Sequence, residues 1–257
     1  MFQSLTWISL STIVQKEVVR FIRIWSQTLL PPLINQSLYF IIFGTFIGSK
    51  IPPVNGLSYM AFLVPGLVMM GVINSAYANV VSSFFGAKFQ KNTEELLVSP
   101  TPIWVIIAGY TLGGMLRGFL VGILIFLVSL FFVAPQVYNF FIVLLFIILT
   151  ALVFALGGLV NAVYATKFDD VSIFTTFILT PLTYLGGVFY SVKSLPLIWQ
   201  YLSYCNPILY LIDGFRFGFT GQADISPWIS LTVLLIMTAL LIGFNAYLFR
   251  KGIGLKQ

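Results

Sequence analysis

The sequence predicts an all-α integral membrane protein with six transmembrane helices, an N-terminal amphipathic surface helix and two short external re-entrant helices before the last span. Three observations carry that prediction. Of the 257 residues 59% are hydrophobic and only 8% charged, with a mean hydropathy of +1.02, well outside the range of soluble domains. The apolar runs are nearly continuous, so no stretch is long enough to fold as a separate soluble domain, and residues 1–257 read as one transmembrane domain. Between Ser191 and Pro227 the chain stays aromatic and aliphatic, yet it holds no apolar run near the ~20 residues that a crossing helix needs.

The first element, residues 5–25, alternates polar positions at Ser9, Thr12, Lys16, Arg20 and Arg23 with apolar ones at Trp7, Leu10, Val14, Val18, Phe21 and Trp25. That spacing predicts an amphipathic helix lying on the membrane surface. Its charges fall inside the run, which separates it from a signal peptide, whose basic region precedes one clean apolar core.

Six spans follow by apolar length and breakers, at about residues 27–48, 58–83, 101–133, 139–165, 171–190 and 228–249. Lys50, Pro52, Pro53 and Asn55 close the first, and Ala134, Pro135 and Gln136 close the third. The third run exceeds the length of one span, so its Gly113–Gly114 pair and Arg117 predict a start near the inner surface, with Arg117 reaching out to the head groups. Glycines four apart at Gly44/Gly48, Gly109/Gly113 and Gly114/Gly118 permit close helix approach within the unit.

Counting charges sets the orientation. With the N-terminus inside, Lys16, Arg20, Arg23, Lys88, Lys91, Lys167, Arg250, Lys251 and Lys256 are cytoplasmic, against Lys50, Lys193 and Arg216 outside. Both termini are therefore expected in the cytoplasm. The net charge of +6 is spread over loops and forms no patch for nucleic acid. The longest inner connection, residues 84–100, carries Glu94-Glu95-Leu96-Leu97, a short amphipathic helix stopped by Pro100 and Pro102. A solvated loop and a projection that receives a mechanical stroke are equally good readings of it. Lys167, Asp169 and Asp170 read as a capped helix boundary.

Several chemistries are excluded or unsupported. One cysteine, Cys205, allows no disulfide, and with no histidine a zinc or haem site is not expected. No P-loop occurs, so ATP binding by that motif is absent, and no cofactor or metal is expected. Asp169 and Asp170 tempt a reading as a membrane-embedded enzyme of lipid metabolism, the alternative function, but adjacent carboxylates lie on different faces of a helix.

The stretch from Ile178 to Gly221 organises the rest. Asn206 before Pro207 places an N-cap ahead of a proline at the first helical position. Asp213 and Arg216, three apart, share a helix face and can pair. Two readings stand for that pair: an interfacial ion pair that holds the helix, or a contact with a transported molecule. The run PLTYLGGVFYSVKSLP, followed by W-x-x-x-S-x-x-NP-x-x-Y-x-I-x-GFR-x-G, resembles the C-terminal signature of ABC-2 type exporter permeases, and among them inner-membrane transport permeases.

The resemblance extends along the whole chain by length and span count, and it implies function. It implies the permease subunit of an ATP-binding-cassette exporter in a bacterial cytoplasmic membrane, driven by a separate ATPase chain and assembled as a homodimer among membrane lipids. It further implies that the surface helix from Gln15 to Arg23 meets the ATPase, making Lys16, Glu17 and Arg20 coupling candidates. Glu94 and Glu95 join them, because these permeases carry a coupling helix in the corresponding loop. Asn206, Pro207, Asp213 and Arg216 would belong to an outer gate. The substrate class stays open among amphipathic drug-like, lipid-linked and polysaccharide molecules, with span interiors nearly free of charge leaning toward the first two.

Overall fold

The computed structural model describes residues 2–54, 56–134 and 137–255; Asn55, Pro135, Gln136 and Lys256 lie outside them. Helix α1 (Phe2–Arg23) ends at a corner at Ile24, and α2 (Trp25–Thr28) leads into α3 (Leu30–Tyr39) and a π-helical stretch, Phe40–Ile47. Together residues 25–47 form one apolar helix long enough to cross a membrane. The break between α2 and α3 at Leu29 follows from Pro31 and Pro32 in the first turn of α3. Without an N–H, Pro32 leaves the Thr28 carbonyl free. The Arg117 guanidinium takes that carbonyl at 2.9 Å, while the Thr28 hydroxyl donates to Phe21 O at 2.7 Å.

Arg117 therefore departs from the expectation that it reaches the head groups. It is 7% exposed and held inside the bundle, because a free backbone carbonyl in an apolar interior needs a donor more than the cation needs water.

Helix α4 (Tyr59–Phe89) is the central post. Ser58 caps it by accepting from the Ala61 N–H at 3.3 Å, and every residue from Phe62 to Ile73 is buried. A helix that is apolar all round belongs in the middle of a bundle, and α4 packs against α6 (Ile103–Ser129) and α7 (Phe140–Tyr164). It runs six residues past the expected end at 83, because Phe84 and Phe85 are buried and Phe84 meets Tyr110 and Phe249 rings at 5.1 and 5.6 Å. The connection expected over 84–100 thus shrinks to a turn at Lys91 (φ 62°) and the short helix α5 (Asn92–Val98).

After α7 the chain forms α8 (Phe168–Phe174), a π-helical stretch Thr175–Leu179, and α9 (Thr180–Leu185). Then come α10 (Leu197–Tyr204), α11 (Pro207–Thr220) and α12 (Pro227–Lys251), which stops at Gly252 (φ 66°). Among the described residues five helical stretches are long and apolar enough to cross a membrane: 25–47, α4, α6, α7 and α12. The stretch 168–185 is not among them. It opens on Asp169 and Asp170 and is diluted by Thr175, Thr176, Thr180, Pro181 and Thr183. Two apolar clusters hold the bundle. One surrounds the middle of α4 with α7 and α11; the other gathers Ile13 of α1, the ends of α4, α7 and α12, and the start of α6.

Candidate coupling and gate sites

Helix α1 lies along α6 on a glycine seat. A Cβ at Gly109 would strike Ile13, and one at Gly113 would strike the stem of Glu17. Ile13, Glu17 and Phe21 recur every four residues and are the buried positions of α1 among the described side chains, so stripe and seat are complementary. Glu17 is fully buried. The Ser83 hydroxyl donates to its Oε1 at 2.5 Å, while Asn79 Nδ2 and the Arg20 guanidinium reach Oε2 at 3.4 and 3.2 Å. The same Arg20 nitrogen donates to the Asn79 backbone and side-chain oxygens at 3.0 and 2.9 Å. Such closure is what a buried carboxylate requires, since an unpaired one in an apolar interior costs several kcal/mol.

This geometry divides the charges expected to face outward from α1. Lys16 is exposed, with its ammonium 5.9 Å from the centre of the Tyr110 ring. Glu17 and Arg20 turn inward onto α4, because Asn79, Ser82 and Ser83 give that face of the central helix polar partners. Lys16 shares a cleft of about 470 Å3 with Ile8 and Thr12 of α1, Asn92 and Glu95 of α5, and Tyr110. Two elements about eighty residues apart in sequence, by the numbers of Lys16 and Glu95, thus form one surface. Glu94 is exposed on α5 outside that lining.

Other ends of the bundle are fastened by backbone capping. Lys88, counted from sequence only as a topological charge, donates its ammonium to Val163 O and Ala165 O at 2.7 and 2.8 Å, closing the C-terminal end of α7. Asp170 accepts from the Thr166 N–H and hydroxyl, both at 2.8 Å, and from the Lys167 N–H at 3.0 Å.

At the opposite end, α10 and α11 form a hairpin. Asn206 Oδ1 accepts from the Ile208 N–H at 3.0 Å, Pro207 occupies the first turn, and Asn206 Nδ2 donates to Leu182 O at 2.6 Å. Asp213 and Arg216 are both buried and 3.7 Å apart. Their stronger bonds go elsewhere: Asp213 accepts from the Asp224 and Ile225 N–H groups at 3.0 and 2.8 Å, and Arg216 donates to Gly187 O at 2.7 Å. The guanidinium also lies 3.9 Å from the centre of the Phe62 ring on α4. Gly187 has φ 76°, a conformation that glycine adopts without strain, which aims its carbonyl at Arg216. Asp224 then accepts from Ser191 Oγ and the Val192 N–H at 2.6 and 3.1 Å, with Lys193 at 3.8 Å. Segments 182–194 and 206–225 are therefore locked into one unit resting on α4.

Three residues of these sites escaped sequence reasoning: Asn79, Ser83 and Asp224. A signal for the first two existed in the small polar residues placed on an otherwise apolar α4, opposite Gly113.

A family model described as ABC-2 type transporter matches residues 8–220. Over 253 residues the chain is 55% identical to the inner membrane transport permease YadH of Escherichia coli strain K12, covering 98% of this chain and 99% of that one. It is 26% identical over 214 residues to nodulation protein J of Rhizobium leguminosarum bv. viciae, covering 81% of each chain. With nodulation protein J of Rhizobium meliloti strain 1021 it shares 26% identity over 194 residues, 74% of this chain and 72% of that one.

Proposed function

The chain belongs to the ABC-2 type transporter family and is a permease subunit of an ABC transporter; from that premise we propose that it is half of a homodimeric exporter whose separate ATPase docks on α1 and α5. The observation that carries the docking site is the shared cleft, which joins exposed Lys16 to Glu95 across two elements distant in sequence. Glu94, beside it, extends the contact. Glu17 and Arg20 act indirectly. They brace α1 against α4 and α6, so that a push on the surface helix moves the bundle instead of bending the helix away.

The sidedness follows from charge and packing. Ile13 of α1 and Leu248, Phe249 and Leu255 near the other end of the chain share one apolar cluster, which supports an even number of crossings. The stretch 168–185 is then the sixth span: at 1.5 Å per residue it extends about 27 Å, close to the ~30 Å hydrocarbon core. Both termini, α1 and α5 lie in the cytoplasm, consistent with the excess of Lys and Arg at that end. The α10–α11 hairpin lies at the outer face as a rigid gate, moving as a unit because its two segments share buried hydrogen bonds.

Closure of the ATPases would rock the spans of the two copies and open a path outward for an amphipathic or lipid-linked substrate. The inner membrane is the compartment that the relatives' names support, and transport-family membership favours a transport subunit over an enzyme of lipid metabolism. The test is copurification. Tagged chain expressed with its ATPase partner should retain that partner, and reversing charge at Lys16 with Glu95 should release it or uncouple ATP turnover from transport. Retained coupling in the doubly reversed variant overturns the docking site.

A further inference from the structure

At the end of the bundle where α6 begins and α12 ends, a lateral groove of about 590 Å3 opens between α6, α7 and α12. It is within the size range of small-ligand sites, on the order of 300–1,000 Å3. Its walls are aliphatic, including Leu156 and Ala246, and Trp104 stands at its edge with most of its surface exposed. Two polar features border this apolar lining, and both suit one kind of occupant.

Arg250 lines the groove in the last turn of α12, is exposed, and makes no ion pair or hydrogen bond among the described residues. Lys251 follows it in the same turn. Ile103 and Trp104 bring the first turn of the 27-residue α6 to the same lining, and no side chain caps that helix start. Its free N–H groups and positive dipole end favour an anion. Deeper in, Thr111 is 3% exposed, and its hydroxyl has no hydrogen-bond partner among the described residues. A helical threonine ordinarily returns its hydroxyl to a carbonyl one turn back. That oxygen has almost no accessible surface of its own, so the Thr111 contribution to the lining is apolar.

We infer that this groove binds one anionic glycerophospholipid, its phosphate between Arg250 and the start of α6 and a chain along Leu156 and Ala246. The charge pattern selects this occupant. A bare alkyl chain would leave Arg250 and the helix start without partners, and a zwitterionic lipid brings a cation to a site that already holds Arg250 and the positive helix end. Basic pockets between membrane helices are a recurrent way of holding such head groups. The site is separate from the ATPase cleft and lies on another side of α6. Binding there would brace the last span against α6 and α7, making lipid composition a condition of the bundle's stability.

The full chain carrying Trp7→Phe, Trp25→Phe, Trp199→Phe and Trp228→Phe reports from Trp104 alone. It is reconstituted in phosphatidylcholine vesicles doped with dibrominated phosphatidylglycerol or dibrominated phosphatidylcholine, and quenching of Trp104 is titrated. The anionic lipid should quench at about fivefold lower mole fraction, the scale of one basic residue at an anionic surface. Arg250→Gln should erase that preference, and Ala246→Phe should reduce quenching by both lipids. Equal quenching by the two lipids, a preference that survives Arg250→Gln with Lys251→Gln, or no quenching because a second copy covers the groove would each overturn the proposal. Native mass spectrometry of the chain with all its tryptophans intact repeats the comparison independently. One retained phosphatidylglycerol, lost in Arg250→Gln, is expected; indifference to Arg250 contradicts it.

Discussion

Removing Arg20 should damage the protein more than removing its partner Glu17, although Arg20 is the more exposed of the two. In Arg20→Ala the Glu17 carboxylate stays fully buried with only Ser83 and Asn79 as donors, at 2.5 and 3.4 Å. Breaking a buried pair in this way costs about 3–5 kcal/mol. In Glu17→Ala, Arg20 keeps the two Asn79 oxygens and the access to water of a side chain 27% exposed. The loss there is closer to that of an unsatisfied neutral group at Ser83, about 1–3 kcal/mol. The double variant removes the stranded charge, so its loss should fall short of the sum by roughly 0.5–3 kcal/mol.

The assay is thermal unfolding of the detergent-solubilised chain, with each kcal/mol moving the midpoint by about 2–4 °C for a domain of this size. Arg20→Ala should therefore drop it by on the order of 10 °C, Glu17→Ala by less, and Lys16→Ala, which removes an exposed cation, hardly at all. Strict additivity, or equal effects of Lys16→Ala and Arg20→Ala, would refute the claim that the Glu17–Arg20 pair is an internal brace.

Three further outcomes follow from the same geometry. Asp213→Ala strands the buried Arg216 and two loop N–H groups, so folded yield should fall sharply and partly recover when Arg216→Ala is added; additive losses would show that the ions do not interact. Gly113→Leu drives a side chain into the Glu17 stem and should abolish this chain's stimulation of ATP turnover by the partner ATPase, whereas Gly86→Ala, with open space around its Cβ, should leave it unchanged; equal effects would refute the seat of α1 on α6. Cys205 is exposed at the α10–α11 turn and should react with an impermeant maleimide from outside. In a Cys205→Ser background Lys193→Cys should do the same and Lys91→Cys should label only after lysis; the reverse pattern would overturn the orientation.

Much of the architecture is local and hence readable from sequence. Asn206-Pro207 marks a helix start because cap and proline act on the next turn alone, and the lengths of α7 and α12 follow from unbroken apolar runs. What escaped reading depends on partners far away in the chain. Amphipathic spacing treats a charged residue on a surface helix as solvated, so Glu17 and Arg20 read as outward. Only the glycine seat at Gly109 and Gly113, with Asn79 and Ser83 beside it, makes burial affordable. Arg117 was misread for the same reason: its partner is a carbonyl freed by Pro32, eighty-five residues earlier by their numbers. The extension of α4 to Phe89 likewise depends on rings from α6 and α12 and on the α7 end that Lys88 caps. The fifth expected span, 171–190, reads as plainly apolar only when its threonines and proline are averaged away; the structure gives it a π-helical turn at Thr175–Leu179.

The measurement that bears most directly on the account is site-specific photo-crosslinking of the assembled transporter, with the crosslinker in turn at Thr12, Glu95 and Leu197. Thr12 and Glu95 line the α1–α5 cleft, and Leu197 is exposed on α10 at the far end of the bundle. An ATPase chain captured from both Thr12 and Glu95, with none from Leu197, is the predicted result. Capture from Leu197, or from neither cleft position while the complex stays intact, would contradict the proposal that the ATPase drives this permease through α1 and α5.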